Sequence, residues 1–218
     1  MHIDDVYLDA LFQKVFQVQE EMKSYCLAGD SPVASIDDLT YAISQMYQRP
    51  INRSEVRGRK FEHVDSFLLR WKDRCDIIVN RNLLEPEFRF ACAKELCHIL
   101  LDEEEDWSPD GVTTISTLLR DHELEVFTDG DHAPTKRLVW EHLALFAAAE
   151  FLYPNYQLEQ DRKGLISGVL SIEEIAKTRD LPILRVKMLH NEGNYQIFCE
   201  ARERVQKKMK VSCETVSV

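Results

Sequence analysis

Val6, Leu8, Leu11, Phe12, Val15, Phe16 and Val18 recur at spacings near three and four, which predicts an amphipathic helix over residues 4–25. The turn-rich run Ala28-Gly29-Asp30-Ser31-Pro32-Val33 separates it from the next element. Ser35-Ile36-Asp37-Asp38 has the form of a capping box, so a second helix is expected from there to about Tyr47. Residues 49–60 are polar and read as a loop. Phe67–Trp71 and Cys75–Val79 are short apolar runs that predict two strands, with Lys72-Asp73-Arg74 as the turn of a hairpin.

Pro86 suits the first turn of a helix that should end near Leu101. Two further helices are expected near 113–126 and 136–153, parted by Thr128–Thr135 with its Gly130 and Pro134. Ser171 and Glu174 form another capping box; it opens a short helix that Leu181-Pro182 breaks from the next one, near 183–190. Ala201–Lys210 reads as a charged helix, with the last eight residues frayed. There is no internal repeat. These elements predict an α+β fold in which a small antiparallel sheet packs on the 86–101 helix and the 136–153 helix crosses it. They divide the chain into an N-terminal helix (1–30), a main domain (31–192) and a charged C-terminal helix with its tail (193–218).

Composition narrows the setting. Of 218 residues, 44% are hydrophobic and 30% charged, enough to bury a core and typical of a soluble globular protein. The net charge of -11 argues against non-specific nucleic-acid binding, which needs basic surface. The six cysteines form no C-x-x-C pair and read as reduced thiols. The start carries no basic, apolar leader, and the most apolar run, Leu143–Tyr153, is too short to span a bilayer, so a cytoplasmic location is expected. The run Asp102–Asp106 is all acidic. It reads first as solvated surface and only second as a metal-binding cluster.

The candidate chemistry lies in Lys94-Glu95-Leu96-Cys97-His98. It follows the zinc-peptidase pattern H-E-x-x-H, with Lys94 where the first ligand belongs. In that pattern positions i and i+4 share one helix face, so two imidazoles grip one zinc while the glutamate activates the metal-bound water. A charged lysine has donors and no lone pair, so it cannot ligate. Cys97 is no substitute, because it points about 100° away from His98 around the helix, and Cys92 faces elsewhere too. Both cysteines read as small buried fillers. The bland alternative makes Glu95 a surface carboxylate and His98 a satisfied core histidine.

The surrounding sequence weighs against that alternative. Cys75–Asn80 (C-D-I-I-V-N) looks like the strand before a zinc-binding helix. Arg89–Leu101 is similar to R-F-T-x-A-H-E-L-G-H-x-L-L. Glu141-x-x-Ala144-x-x-x-Ala148-Ala149-x-Phe151-Leu152-Tyr153-Pro154 is similar to E-x-x-A-N-x-F-A-A-x-L-L-M-P. Together these blocks resemble the ImmA/IrrE family of metallopeptidases over roughly residues 35–190. The resemblance implies a zincin-like domain with Glu95 as general base and His98 and Glu141 as zinc ligands. It also implies a setting of repressor cleavage, mobile-element induction and transcription regulation. The chain departs from the family at Lys94, at Cys97 where a glycine is usual, and at Leu145 where Asn or Asp is usual.

With the first ligand gone, His98 and Glu141 are vestigial ligand candidates, and Lys94 is the candidate replacement for the lost cation. No cofactor is expected, or zinc if the site still functions. The leading expectation is a regulatory protein of zincin ancestry, a pseudoenzyme that binds a protein partner such as a helix-turn-helix transcriptional regulator. No direct nucleic-acid contact and no membrane contact are expected. An active zinc endopeptidase that cleaves a repressor stands as the alternative, and an assembly role or a DNA binder stands behind it. The DNA reading would use residues 170–189, whose Arg185 and Lys187 are basic. That turn holds Asp180 and Pro182 without a glycine, so a packing role is the better reading of these two helices.

Overall fold

The computed structural model describes residues 4–25, 33–57, 64–101 and 136–216. The expected helix near 113–126, the acidic run 102–106 and the turn at 28–32 lie outside the described residues. Helix α1 (Asp5–Ser24) is capped by Asp4, whose carboxylate accepts the Val6 N–H at 2.9 Å. It buries Leu8, Leu11, Phe12, Val15, Val18 and Met22. Val6, expected on that face, is 72% exposed. Helix α2 (Ile36–Tyr47) starts at Ser35, whose Oγ accepts the Asp38 N–H at 3.0 Å, and stops at Gln48 in the left-handed region.

The sheet departs from expectation in one strand. β1 (Ile51–Val56) lies within the stretch read as a loop, and it pairs parallel to β3 (Cys75–Asn80) with Ile51 opposite Cys75. β2 (Ser66–Arg70) pairs antiparallel to β3, and the Trp71 N–H donates to the Arg74 carbonyl at 2.8 Å to close the expected hairpin. The order is β1-β3-β2, so the sheet is mixed rather than wholly antiparallel. β1 is polar because only its two ends are even half-buried. Backbone pairing with β3 holds it, so no alternation of apolar residues announces it. The central strand β3 turns Cys75, Ile77 and Val79 into the core.

Helix α3 (Glu85–Leu101) comes next and buries residues on nearly every face, from Phe90 to Leu101. It packs against β3, β2, α2 and, most extensively, α4 (Lys136–Leu152). That crossing sets the site, because α3 carries Lys94, Glu95 and His98 and α4 carries Glu141.

The last third is helical. α5 (Asn155–Ile166) is not announced by the sequence: it buries only Leu158 and Asp161, too few apolar positions to leave a period. α6 (Ile172–Arg179) has the expected reciprocal cap, with Ser171 Oγ accepting from the Glu174 N–H and the Glu174 carboxylate accepting from the Ser171 N–H. α7 (Ile183–His190) matches its expected span. α8 (Glu192–Val216) begins at Glu192 rather than Ala201 and stays helical through residues expected to fray. It returns to the N-terminal helix, setting Phe198 edge-on to Phe12 with 5.9 Å between ring centres, and pairing Arg204 with Asp9 at 2.7 Å. No helix among the described residues is long and apolar enough to cross a membrane.

Candidate functional site

Helical spacing puts Lys94, Glu95 and His98 within one turn of α3, and the α3–α4 crossing brings Glu141 against them. The Lys94 ammonium lies between two carboxylates, with Nζ 2.9 Å from Glu141 Oε1 and 2.9 Å from Glu95 Oε1. The other Glu141 oxygen, Oε2, lies 2.8 Å from His98 Nε2. Glu95 Oε1 also accepts from Ser66 Oγ at 2.7 Å, which ties the cluster to the first residue of β2. Arg70, at the far end of β2, donates to the His98 carbonyl at 2.9 Å and so braces the last turn of α3.

The electrostatics follow from burial. Glu95 is 3% exposed, and the Lys94 and Glu141 side chains are 15% and 25% exposed. Burial disfavours the Lys94 ammonium, but the charges of Glu95 and Glu141 and the hydrogen bonds to them outweigh it, so its pKa is raised. Burial likewise pushes the Glu141 carboxyl up, while Lys94 and His98 pull it further down, well below the usual carboxylate range. The pair is therefore ionised on both sides. A lysine held in this way cannot serve as a general base at neutral pH, since its lone pair is committed to a proton. The nearby thiols are inert: burial raises the pKa of Cys97 well above its usual value and pushes Cys92 up to about 12.

Zinc does not fit this donor set. The catalytic form of such a site needs three protein ligands and an open position for water. Here the first position is a protonated amine that donates to Glu141. Among the described residues, no group of three His, Cys, Asp or Glu side chains is placed to hold a metal ion.

A cleft of about 270 Å³ opens over the cluster. Ser66, Lys94 and Glu141 give it a polar floor, Phe90 and Leu145 an apolar wall, and Arg185 of α7 a cationic rim. The structure thus gathers the four residues that the sequence singled out. It adds Ser66 and Arg185, which motif reasoning missed. Ser66 carries no pattern of its own, since it is one polar residue ahead of an apolar strand. Arg185 was visible only as a basic residue on a helix-turn-helix-like segment. In the structure Ile175, Ala176, Leu181, Val186 and Leu189 of that segment are buried, and the Arg185 guanidinium sits 5.3 Å from the centre of the Phe90 ring.

A second polar knot lies away from this cleft. Tyr153 OH donates to Asp161 at 2.8 Å, Arg179 grips the same carboxylate through two nitrogens, and His190 Nε2 lies 3.2 Å from the Tyr153 oxygen. It fastens the end of α4 to α5, α6 and α7. Near the same end of α4, buried Glu150 pairs with buried Arg202 of α8.

The model of one protein family, described as the IrrE N-terminal-like domain, matches residues 48–177. The matched span runs from the residue that ends α2 to within α6, and it contains all four residues of the cluster. No curated protein matches the chain.

Proposed function

The chain belongs to the IrrE N-terminal-like domain family, of zincin peptidase type, and from that premise we propose a regulatory protein that binds a protein partner and has lost or weakened the cleavage chemistry of its ancestry. One observation carries the reading: the first position of the zinc motif is an ammonium that both carboxylates of the site already hold at 2.9 Å. The internal cation satisfies Glu95 and Glu141, which would otherwise be like charges in a dry crossing. His98 and Glu141 alone make a weak zinc site.

What remains useful is the cleft. Its floor is charged but internally paired, its wall is apolar, and it is large enough for side chains of a partner. A transcriptional regulator of the same genetic element is the partner class that fits the family's setting, in the cytoplasm. The acidic surface, with net charge -11, favours encounter with a basic protein.

Two measurements test this. Protein purified without added metal should hold far less than one zinc per chain by elemental analysis, while Lys94→His should restore a third ligand and raise zinc affinity by orders of magnitude. Tagged protein should co-purify with an intact partner rather than with its fragments. One zinc per chain in the natural protein, together with a partner recovered as cleaved pieces, would establish the peptidase reading instead.

A further inference from the structure

Arg185 differs from Lys94, the other cation lining the cleft, and from cations on neighbouring elements. Lys94 is held by two carboxylates, and Arg89 donates to the carbonyls of Arg179 and Asp180. Arg70 donates to the His98 carbonyl, and Arg179 grips Asp161. The guanidinium of Arg185, in the first turn of α7, makes no hydrogen bond and no ion pair among the described residues. It is half-buried against the Phe90 ring. Burial lowers its pKa from the usual arginine value, and Asp65 and Glu141 act on it only from a distance.

A guanidinium with no partner among the described residues, in a partly dry wall, offers its fork of N–H donors to a planar anion such as a carboxylate. The neighbouring side chains set a second demand. Leu184 is 73% exposed and Ile183 is 43% exposed, and both line the same cleft as Phe90 and Leu145. Asp65, Glu87 and Glu141 also line it, so a multiply charged phosphate would be repelled where a single carboxylate is tolerated. The volume, about 270 Å³, is at the lower end of ligand pockets and suits one or two side chains.

We propose that the cleft takes a peptide segment of the partner that sets one carboxylate against Arg185 and an adjacent apolar side chain against Phe90, Leu145 and Leu184. This deepens the partner-binding reading and rests on it. The carboxylate comes from an Asp or Glu side chain or from the C-terminus of the partner; the chemistry at Arg185 is the same. The rest of the segment is neutral or basic, since the acidic protein repels further negative charge.

The test uses the full-length protein and two random heptapeptide libraries, identical except that one has free and the other amidated C-termini. Selected peptides are remeasured by fluorescence anisotropy against the natural protein, Arg185→Met, Arg185→Gln and Leu184→Asp, with a thermal melt of each variant to confirm folding. The expected selection is a carboxylate beside an apolar residue. Arg185→Met and Arg185→Gln should weaken it about tenfold or more, as loss of a charge-assisted contact does. Leu184→Asp should weaken it as well. Selection from the free library alone identifies the C-terminus as the source, and selection from both identifies an acidic side chain. Peptides without a carboxylate, sensitive to Leu184→Asp and indifferent to both Arg185 variants, would overturn the inference and leave the cleft as a partner site. If neither library yields a peptide, the inference is also overturned, while the partner reading still stands or falls on the co-purification.

Discussion

Replacing Lys94 by Met isolates what the internal cation contributes. The substitution keeps an unbranched side chain, one atom shorter, and removes its charge and donors. Each of the two contacts at 2.9 Å corresponds to a gross attraction of about 6 kcal/mol at an effective dielectric of about 20. Most of that offsets the burial of the three charges. The loss on removal is therefore set by what the carboxylates do next. Among the described residues Glu141 keeps His98, while Glu95 keeps only the Ser66 hydroxyl and is 3% exposed. A stranded carboxylate escapes by taking a proton, which at pH 7 costs a carboxyl of ordinary acidity about 3.7 kcal/mol. That caps the penalty, and the expected loss is about 2–4 kcal/mol, within the range for breaking a buried pair from one side. Urea unfolding at pH 7 measures it as a fall in midpoint with unchanged slope. The double variant Lys94→Met/Glu95→Gln should then be more stable than Lys94→Met alone, because the stranded charge is gone. A single-variant loss below about 0.5 kcal/mol, the scatter of ordinary surface changes, would refute the reasoning.

Two further outcomes are expected. Ser66→Ala should cost about 1–2 kcal/mol, since buried Glu95 loses a donor at 2.7 Å, and an unchanged urea midpoint would place that hydroxyl outside the cluster's energetics. Burial raises the Asp161 carboxyl, but the hydrogen bonds and charge of Arg179, with Tyr153, outweigh it and hold its pKa below the usual value. Its contribution is thus fully present above about pH 4 and lost as pH falls through the depressed folded value, so Asp161→Asn should weaken the fold at neutral pH and flatten the acid limb of the stability curve below about pH 4, where a wild-type limb would contradict the assignment.

The parts of the fold legible in the sequence were those whose chemistry repeats. The apolar period of α1, the capping residues Ser35 and Ser171, and the hairpin runs around Lys72-Asp73-Arg74 all correspond to observed elements. β1 and α5 were illegible for one shared reason: both are held by backbone pairing or a few contacts, and their side chains stay polar. The start of α8 was missed because its buried residues are sparse, at Phe198, Ala201 and Val205, in a charged sequence. At the site, Lys94, Glu95 and His98 were legible from one helical turn and Glu141 from a second block. Ser66 and Arg185 come from elements whose placement only the three-dimensional packing supplies.

The Lys94 bridge has a thermodynamic consequence for the whole α3–α4 crossing. A helix pair joined through a bound ion gains stability that grows with the logarithm of the free ion's concentration and vanishes when that ion is sequestered. Here the cation is covalently part of α3, 2.9 Å from its partner on α4. It cannot dissociate, be exchanged for a competing metal or be stripped by a chelator. On the proposed reading the crossing carries no mass-action term, and its strength should be the same in zinc-starved and zinc-replete surroundings. The lysine would then uncouple the shape of the cleft from metal supply.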